Sequence, residues 1–236
     1  MPSASSRRYG DIGYIRLTQF TENTEPGLEE EIDKLVRDPA GVPDGFILDL
    51  RNNPGGLTTQ ATAVSDAFLE SGIMWSASGR NGERNRVYEA TPGDLALGRP
   101  IVVLLNRGSA SASEIVAGAL RGNGRATLMG ARTFGKGVAQ THFRLPDGGS
   151  LKLTTLKFFK PDGSSAQKVG IQPDIKVLQP DAEPDPETVP VLGTARGDSC
   201  PEVDKLEKED HQLRCAIALL RTGGAPAFLA LHGSGS

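Results

Sequence analysis

The chain has 236 residues, 29 acidic against 26 basic side chains for a net charge of −3, and a hydrophobic content of 37%. That length can bury a real core, and the near-neutral charge and 5% aromatic content exclude a broadly basic nucleic-acid binder and a base-stacking platform. No run approaches the roughly 18 apolar residues of a membrane span, and two cysteines with three histidines do not make a zinc site.

Residues 1–10 carry no apolar run of the signal-peptide kind and read as a leader or added residues. Residues 11–20 (DIGYIRLTQF) read as a strand. Residues 26–37 read as a surface helix, with Leu28, Ile32, Leu35 and Val36 at helical spacing and acids in the first turn. Residues 45–50 (GFILDL) are a short apolar run of the kind buried on both faces of a parallel sheet. The turn Arg51-Asn-Asn-Pro-Gly-Gly56 and a helix over 57–69 follow.

The same unit then recurs. Residues 101–105 (IVVLL) are a second buried strand, followed by the turn 106–113 and a helix over 114–121 with Ile115, Val116, Ala119 and Leu120 as its apolar face. Two strand–turn–helix units in series predict an α/β core of βαβ-type units. Between them, residues 73–90 read as a polar hairpin or excursion. Further strands are predicted at 126–129, 138–145 and, after the Asp147-Gly-Gly turn, 151–159, and residues 171–177 close the core. Residues 178–201, rich in Pro and acid, read as a linker. The C-terminal part, 202–236, reads as a helix over 202–221 with Val203, Leu206, Leu213, Ile217 and Leu220 as packing positions, then an apolar tail. Cys200 and Cys215 can pair in an oxidising compartment or stay as thiols.

In open α/β sheets ligands bind outside the carboxyl ends of the strands, which is where Asn53-Pro-Gly-Gly56 and Gly108-Ser-Ala-Ser111 fall. Each alone is an ordinary turn or an N-cap; together they offer a serine at a helix N-terminus and glycines that let a backbone N–H approach a substrate carbonyl. The serine needs a base. His142 sits in a predicted strand, His211 on the late helix and His232 in the tail, all poor positions. Lys136, between glycines in Thr133-Phe-Gly-Lys-Gly137, is the better candidate. A lysine, with an ordinary pKa near 10.4, takes a serine proton only where a water-poor pocket keeps it neutral. Residues 130–136 also match the G-x-x-x-x-G-K of a phosphate loop, but Gly137 stands where Ser or Thr is needed and a strand follows where a helix is needed, which argues against nucleotide. Gln140, four residues along that strand, could hydrogen-bond the lysine if Lys136 curls back on its glycines.

These segments (GYIRLTQF, LDLRNNPGG, NRGSASASEIVAGAL, GRATLMGARTFGKGVAQ and KFFKPDGSSAQKVGIQPDI) resemble, in order and spacing, those of the carboxy-terminal processing peptidases, or tail-specific proteases. The resemblance runs through most of 11–177. It implies a crotonase-like α/β peptidase core with Ser111 as nucleophile and Lys136, 25 residues on, as general base. Gln140 would orient the lysine, and the backbone N–H groups of Gly56 and Ala112 would form the oxyanion hole. It also implies no cofactor and no metal, protein or peptide C-termini as substrates, and a periplasmic or cell-envelope setting, with a homo-oligomer open. Family members usually carry a PDZ domain before the GYIRL strand, and this chain begins about there, so a protease core lacking that domain, trimmed or naturally minimal, is expected. A non-catalytic peptide-binding module of the same fold, or a latent enzyme, is the alternative; all three of Ser111, Lys136 and Gln140 being present favours the enzyme.

Overall fold

The apolar runs at Gly45–Asp49 and Ile101–Leu105 are strands buried at every position. Their side chains divide between two cores. Phe46, Leu48, Ile101, Val103 and Leu105 face one; Ile47, Val102 and Leu104 face the other. That is the period of two of a pleated strand, read in a sheet covered on both sides.

The computed structural model describes residues 2–79, 84–145, 148–177, 191–203 and 210–233. In chain order the elements are β1 (Ala4–Tyr9), β2 (Ile12–Leu17), α1 (Thr24–Val36), β3 (Gly45–Asp49), α2 (Thr58–Asp66), β4 (Ile73–Ser78), β5 (Arg84–Glu89) and β6 (Ile101–Leu105). Then come α3 (Ala112–Gly122), β7 (Ala126–Gly130), β8 (Val138–Arg144), β9 (Ser150–Phe159), β10 (Ile175–Lys176), β11 (Gly193–Thr194), α4 (His211–Thr222) and α5 (Ala225–His232). A seven-stranded sheet runs β1-β2-β3-β6-β7-β10-β11, parallel throughout except for the β1–β2 pair. Helices α1, α2 and α3 cover one face through Leu28, Ile32, Val64, Ile115, Val116 and Leu120. Helices α4 and α5 cover the other through Leu213, Ala216, Ile217, Leu219 and Phe228. Burying a Leu or Ile of this kind contributes about 1.5–3 kcal/mol.

Three segments differ from expectation. Residues 4–9, read as a leader, are the edge strand β1, in register with β2 from Ala4↔Leu17 to Tyr9↔Ile12. Only its two ends are buried, Ala4 in one core and Tyr9 in the other, so polar ASSRRY carries little apolar pattern. Part of the supposed linker is built in: β11 pairs with β10, and Cys200 is buried in the second core. Residues 178–190 lie outside the described residues, as do 204–209, including Leu206; the late helix starts at His211, where the Asp210 side chain accepts the Leu213 N–H. Residues 73–90 pair as a hairpin, one of the two expectations, with β4 antiparallel to β5, but it is not polar. Strand β4 buries Met74, Trp75 and Ala77, and the second sheet, β5-β4-β9-β8, is antiparallel. The Trp75 ring stacks on Tyr88 at 3.9 Å and meets Phe158 edge-on. The turn predicted at Asp147 lies outside the described residues.

Cys200 and Cys215 form a disulfide that clips the segment after β11 to α4. Arg214 reinforces it by donating to the carbonyls of Pro201 and Cys200. With the cysteines 15 positions apart, loop-closure entropy assigns the bond about 3 kcal/mol. Replacing both cysteines by serine is expected to lower the urea midpoint by the equivalent of that loss, and an unchanged midpoint would show that α4 is held without it.

Candidate active site

The turn after β3 is fixed by Asn53. This side chain is fully buried, donates to the Leu17 carbonyl at 2.9 Å and accepts the Gly55 N–H at 2.9 Å. The turn after β6 is laced to it. The Ala110 N–H and the Ser113 hydroxyl both donate to the Asn53 carbonyl, at 3.0 and 2.9 Å. The Ser109 hydroxyl donates to the Leu50 carbonyl at 2.8 Å, and Asn52 and Asn106 exchange hydrogen bonds. The glycines of the first turn are demanded by contact. A Cβ on Gly55, at φ +97°, would lie 2.8 Å from the Ser111 Cβ, and one on Gly56, at φ +148°, would overlap the Phe20 carbonyl.

Ser111 is the N-cap of α3 at φ 57°, ψ −111°. For a residue with a Cβ this conformation costs on the order of 1–3 kcal/mol. The serine is half-buried, and the neighbouring Ala112 N–H and the Gly56 N–H have no acceptor among the described residues. Two unpartnered amides beside a strained serine is an arrangement that can receive an oxyanion.

The residue that organises the site is one that sequence reasoning missed. Glu114, one turn into α3 and 2% exposed, accepts four hydrogen bonds. Its Oε2 takes the N–H of Ser111 and the N–H of Lys136, both at 2.8 Å. Its Oε1 takes the Thr133 hydroxyl at 2.5 Å and the Gly135 N–H at 2.8 Å. One carboxylate oxygen therefore holds the backbones of Ser111 and Lys136 within two hydrogen-bond lengths of each other. The Phe134 N–H adds a bond to the Ser109 carbonyl at 2.9 Å. The signal was present as the S-x-x-E of a capping box, which marks a helix start and says nothing of a second segment arriving from residues 133–136.

Lys136 is half-buried in a loop that only glycines can form. Gly135 has φ +92°, and a Cβ on Gly137 would lie 2.6 Å from the Gln167 nitrogen. Gln167 Oε1 accepts the Gly137 N–H at 2.7 Å, and Gly135 accepts the Lys168 N–H at 2.8 Å. Strand β8 follows directly, so the G-x-x-x-x-G-K run has no helix and is not a phosphate loop. Gln140 is exposed on β8, opposite Thr154 beside a bulge in the ladder. Among the described residues no hydrogen bond joins Gln140 to Lys136, or the Ser111 hydroxyl to the Lys136 amine. His142 is on β8, His211 opens α4, and the His232 ring lies against the Ser199 carbonyl at 3.0 Å.

An ion network lies beneath the first turn. Asp49, almost fully buried, accepts from Arg16 at 2.7 Å, Tyr14 at 2.8 Å and Arg51. Burial first, and the Asp49 carboxylate second, push the Tyr14 phenol above its ordinary range, so it stays a donor. Burial opposes the Arg51 charge, but hydrogen bonds to Asp210 and Asp49 outweigh it and hold the guanidinium cationic.

The family model for peptidase family S41 matches residues 11–177. The chain belongs to peptidase family S41. Among its S41 relatives, the carboxy-terminal-processing protease of Bartonella bacilliformis is 51% identical over 172 residues, covering 72% of this chain and 40% of that protein. The carboxyl-terminal-processing protease of Synechocystis sp. is 44% identical over 176 residues, covering 74% and 40%. The chain thus spans about 40% of the length of these curated relatives. A solved photosystem II D1 C-terminal processing protease aligns with a TM-score of 0.65 at 35% identity, covering 70% of this chain and 42% of that one. The mixed α/β fold with its parallel sheet is that of S41 peptidase structures, and a crotonase-like core is consistent with it.

Replacing Glu114 by Gln puts an amide N–H₂ against a ring of donors and strands at least one of them, a cost of about 1–3 kcal/mol per unsatisfied group. Amide hydrogen exchange at Ser111, Gly135 and Lys136 is expected to accelerate together in Glu114→Gln. Exchange unchanged at all three would remove the carboxylate from its organising role.

Proposed function

We propose that the chain is the catalytic core of a serine endopeptidase that works through Ser111 and Lys136. The observation that carries this reading is the shared Glu114 oxygen, which ties the backbone of the strained serine to that of the glycine-flanked lysine. In the proposed reaction Ser111 Oγ attacks the scissile carbonyl while neutral Lys136 Nζ takes its proton. The Gly56 and Ala112 N–H groups hold the tetrahedral oxyanion. Lys136 then passes the proton to the leaving amine, and a water resolves the acyl-enzyme by the same route in reverse. Gln140 would orient the lysine amine once a substrate strand closes the site, since catalytic hydrogen bonds often tighten only in the complex.

Substrates would be proteins or peptides cut near apolar C-terminal tails, a reading supported by the C-terminal processing named in the relatives. No helix among the described residues is long and apolar enough to cross a membrane. The Cys200–Cys215 disulfide supports an oxidising compartment, periplasm or cell envelope.

A latent form of the same enzyme is the second reading, favoured by the missing hydrogen bond between Ser111 Oγ and Lys136 Nζ. A serine-directed fluorophosphonate separates the two, since it labels Ser111 in the active form and leaves the latent form unmodified. In the active form, Ser111→Ala and Lys136→Ala are each expected to lower kcat/KM by about 10⁴-fold or more while the fold is kept. A Lys136→Ala variant that keeps most of its turnover would reject the dyad.

A further inference from the structure

We propose that Asp210, beyond the residues 11–177 that define the family match, is a positioning residue for the oxyanion turn and acts through Arg51. The inference rests on the Ser111–Lys136 reading above.

Arg51 opens the turn that ends, five residues later, in Gly56. Its guanidinium is gripped from two sides. On one side, Nε and Nη2 bond the Asp49 carboxylate at 2.6–3.0 Å. On the other, Nη1 and Nη2 meet the two oxygens of Asp210 as a fork, at 2.7 and 2.9 Å. Asp49 alone is a poor anchor because it is shared with Arg16 and Tyr14. With Asp210 present, two guanidinium groups face two carboxylates; without it, two cations share one anion in a largely buried site. Docking α4 brings the second carboxylate to the Arg51 guanidinium.

Asp210 is itself held rigidly. It caps α4 through the Leu213 N–H at 3.1 Å, and that helix is buried in the second core and clipped by the disulfide. Beside it, Gln212 accepts from Arg51 Nη1 at 3.3 Å and donates to the Val177 carbonyl at 2.7 Å. A fixed helix end thus grips the first residue of a turn whose last amide must meet a developing oxyanion. Such groups act in the transition state, so loosening the turn lowers kcat and leaves KM nearly unmoved.

The cap and the grip can be separated. Serine and asparagine both cap helices well, but serine is too short to reach Arg51 and asparagine carries no charge. In the full chain, Asp210→Ser is expected to lower kcat about 10- to 100-fold with KM within about twofold. Hydrogen exchange over residues 52–56 should rise, Asp210→Asn should fall between wild type and Asp210→Ser, and Asp210→Glu should recover part of the loss. Ile32→Ala, which removes packing on α1 in the other core without touching α4 or Arg51, is the control, expected to lower the melting temperature at least as much while keeping kcat. Wild-type kcat in Asp210→Ser overturns the proposal, as does an equal fall in Ile32→Ala. A Ser111→Ala variant that stays active would instead remove the dyad reading, and the exchange measurement would still report whether Asp210 holds the turn.

Discussion

The site depends on a buried carboxylate. An ionised acid taken out of water is tolerated only when its lone pairs are filled, and Glu114 fills them with donors from its own helix start and from the β7–β8 connection. Because those donors are about twenty residues apart in sequence, the acid is satisfied only when the connection has packed against α3. The helix N-terminus adds its own favourable field for the anion. The arrangement that satisfies Glu114 therefore also brings the backbones of Ser111 and Lys136 together.

The same constraint accounts for the strain at Ser111. A left-handed φ at a non-glycine residue persists only where its surroundings over-determine it. Here the Ser111 N–H is fixed by Glu114, the preceding Ala110 N–H by the Asn53 carbonyl, and the Gly55 backbone lies against its Cβ. What the turn gains is a hydroxyl at the end of a parallel sheet with amides around it. Gly55, Gly56, Gly135 and Gly137 are the places where a side chain would push these segments apart.

Much of this was legible in the residues. GFILDL and IVVLL fit two-sided strands and are buried at every position of β3 and β6, and the serine, lysine and glycine turns lie next to strands as the spacing suggested. What was not legible depended on partners distant in sequence. ASSRRY shows no pattern because an edge strand needs few apolar residues, and residues 193–194 look like linker because two residues suffice to pair with β10. Glu114 was visible as a capping residue, but its second set of donors lies at Thr133, Gly135 and Lys136. Spacing alone could suggest that Gln140 reaches Lys136, yet the side-chain path is decided by how β8 sits on β9.

The two-sided sheet also settles what the C-terminal segment is for. Ile47, Val102, Leu104 and Met129 point away from α1, α2 and α3 and are fully covered only because α4 and α5 lie over them. Each would lose about 1.5–3 kcal/mol if exposed, comparable in sum to the whole stability of a domain. Within the apolar tail Phe228 is fully buried against this face and Leu229 packs on it, while Leu231 stays exposed. A chain that must place a helix there for the sake of its core also brings that helix's N-terminus to the carboxyl end of β3, where Arg51 meets the Asp210 carboxylate. The helix that completes the hydrophobic core is thus the one whose N-cap carboxylate joins the ion network beneath the Asn53–Gly56 turn, so core packing and the anchoring of that turn meet in a single element.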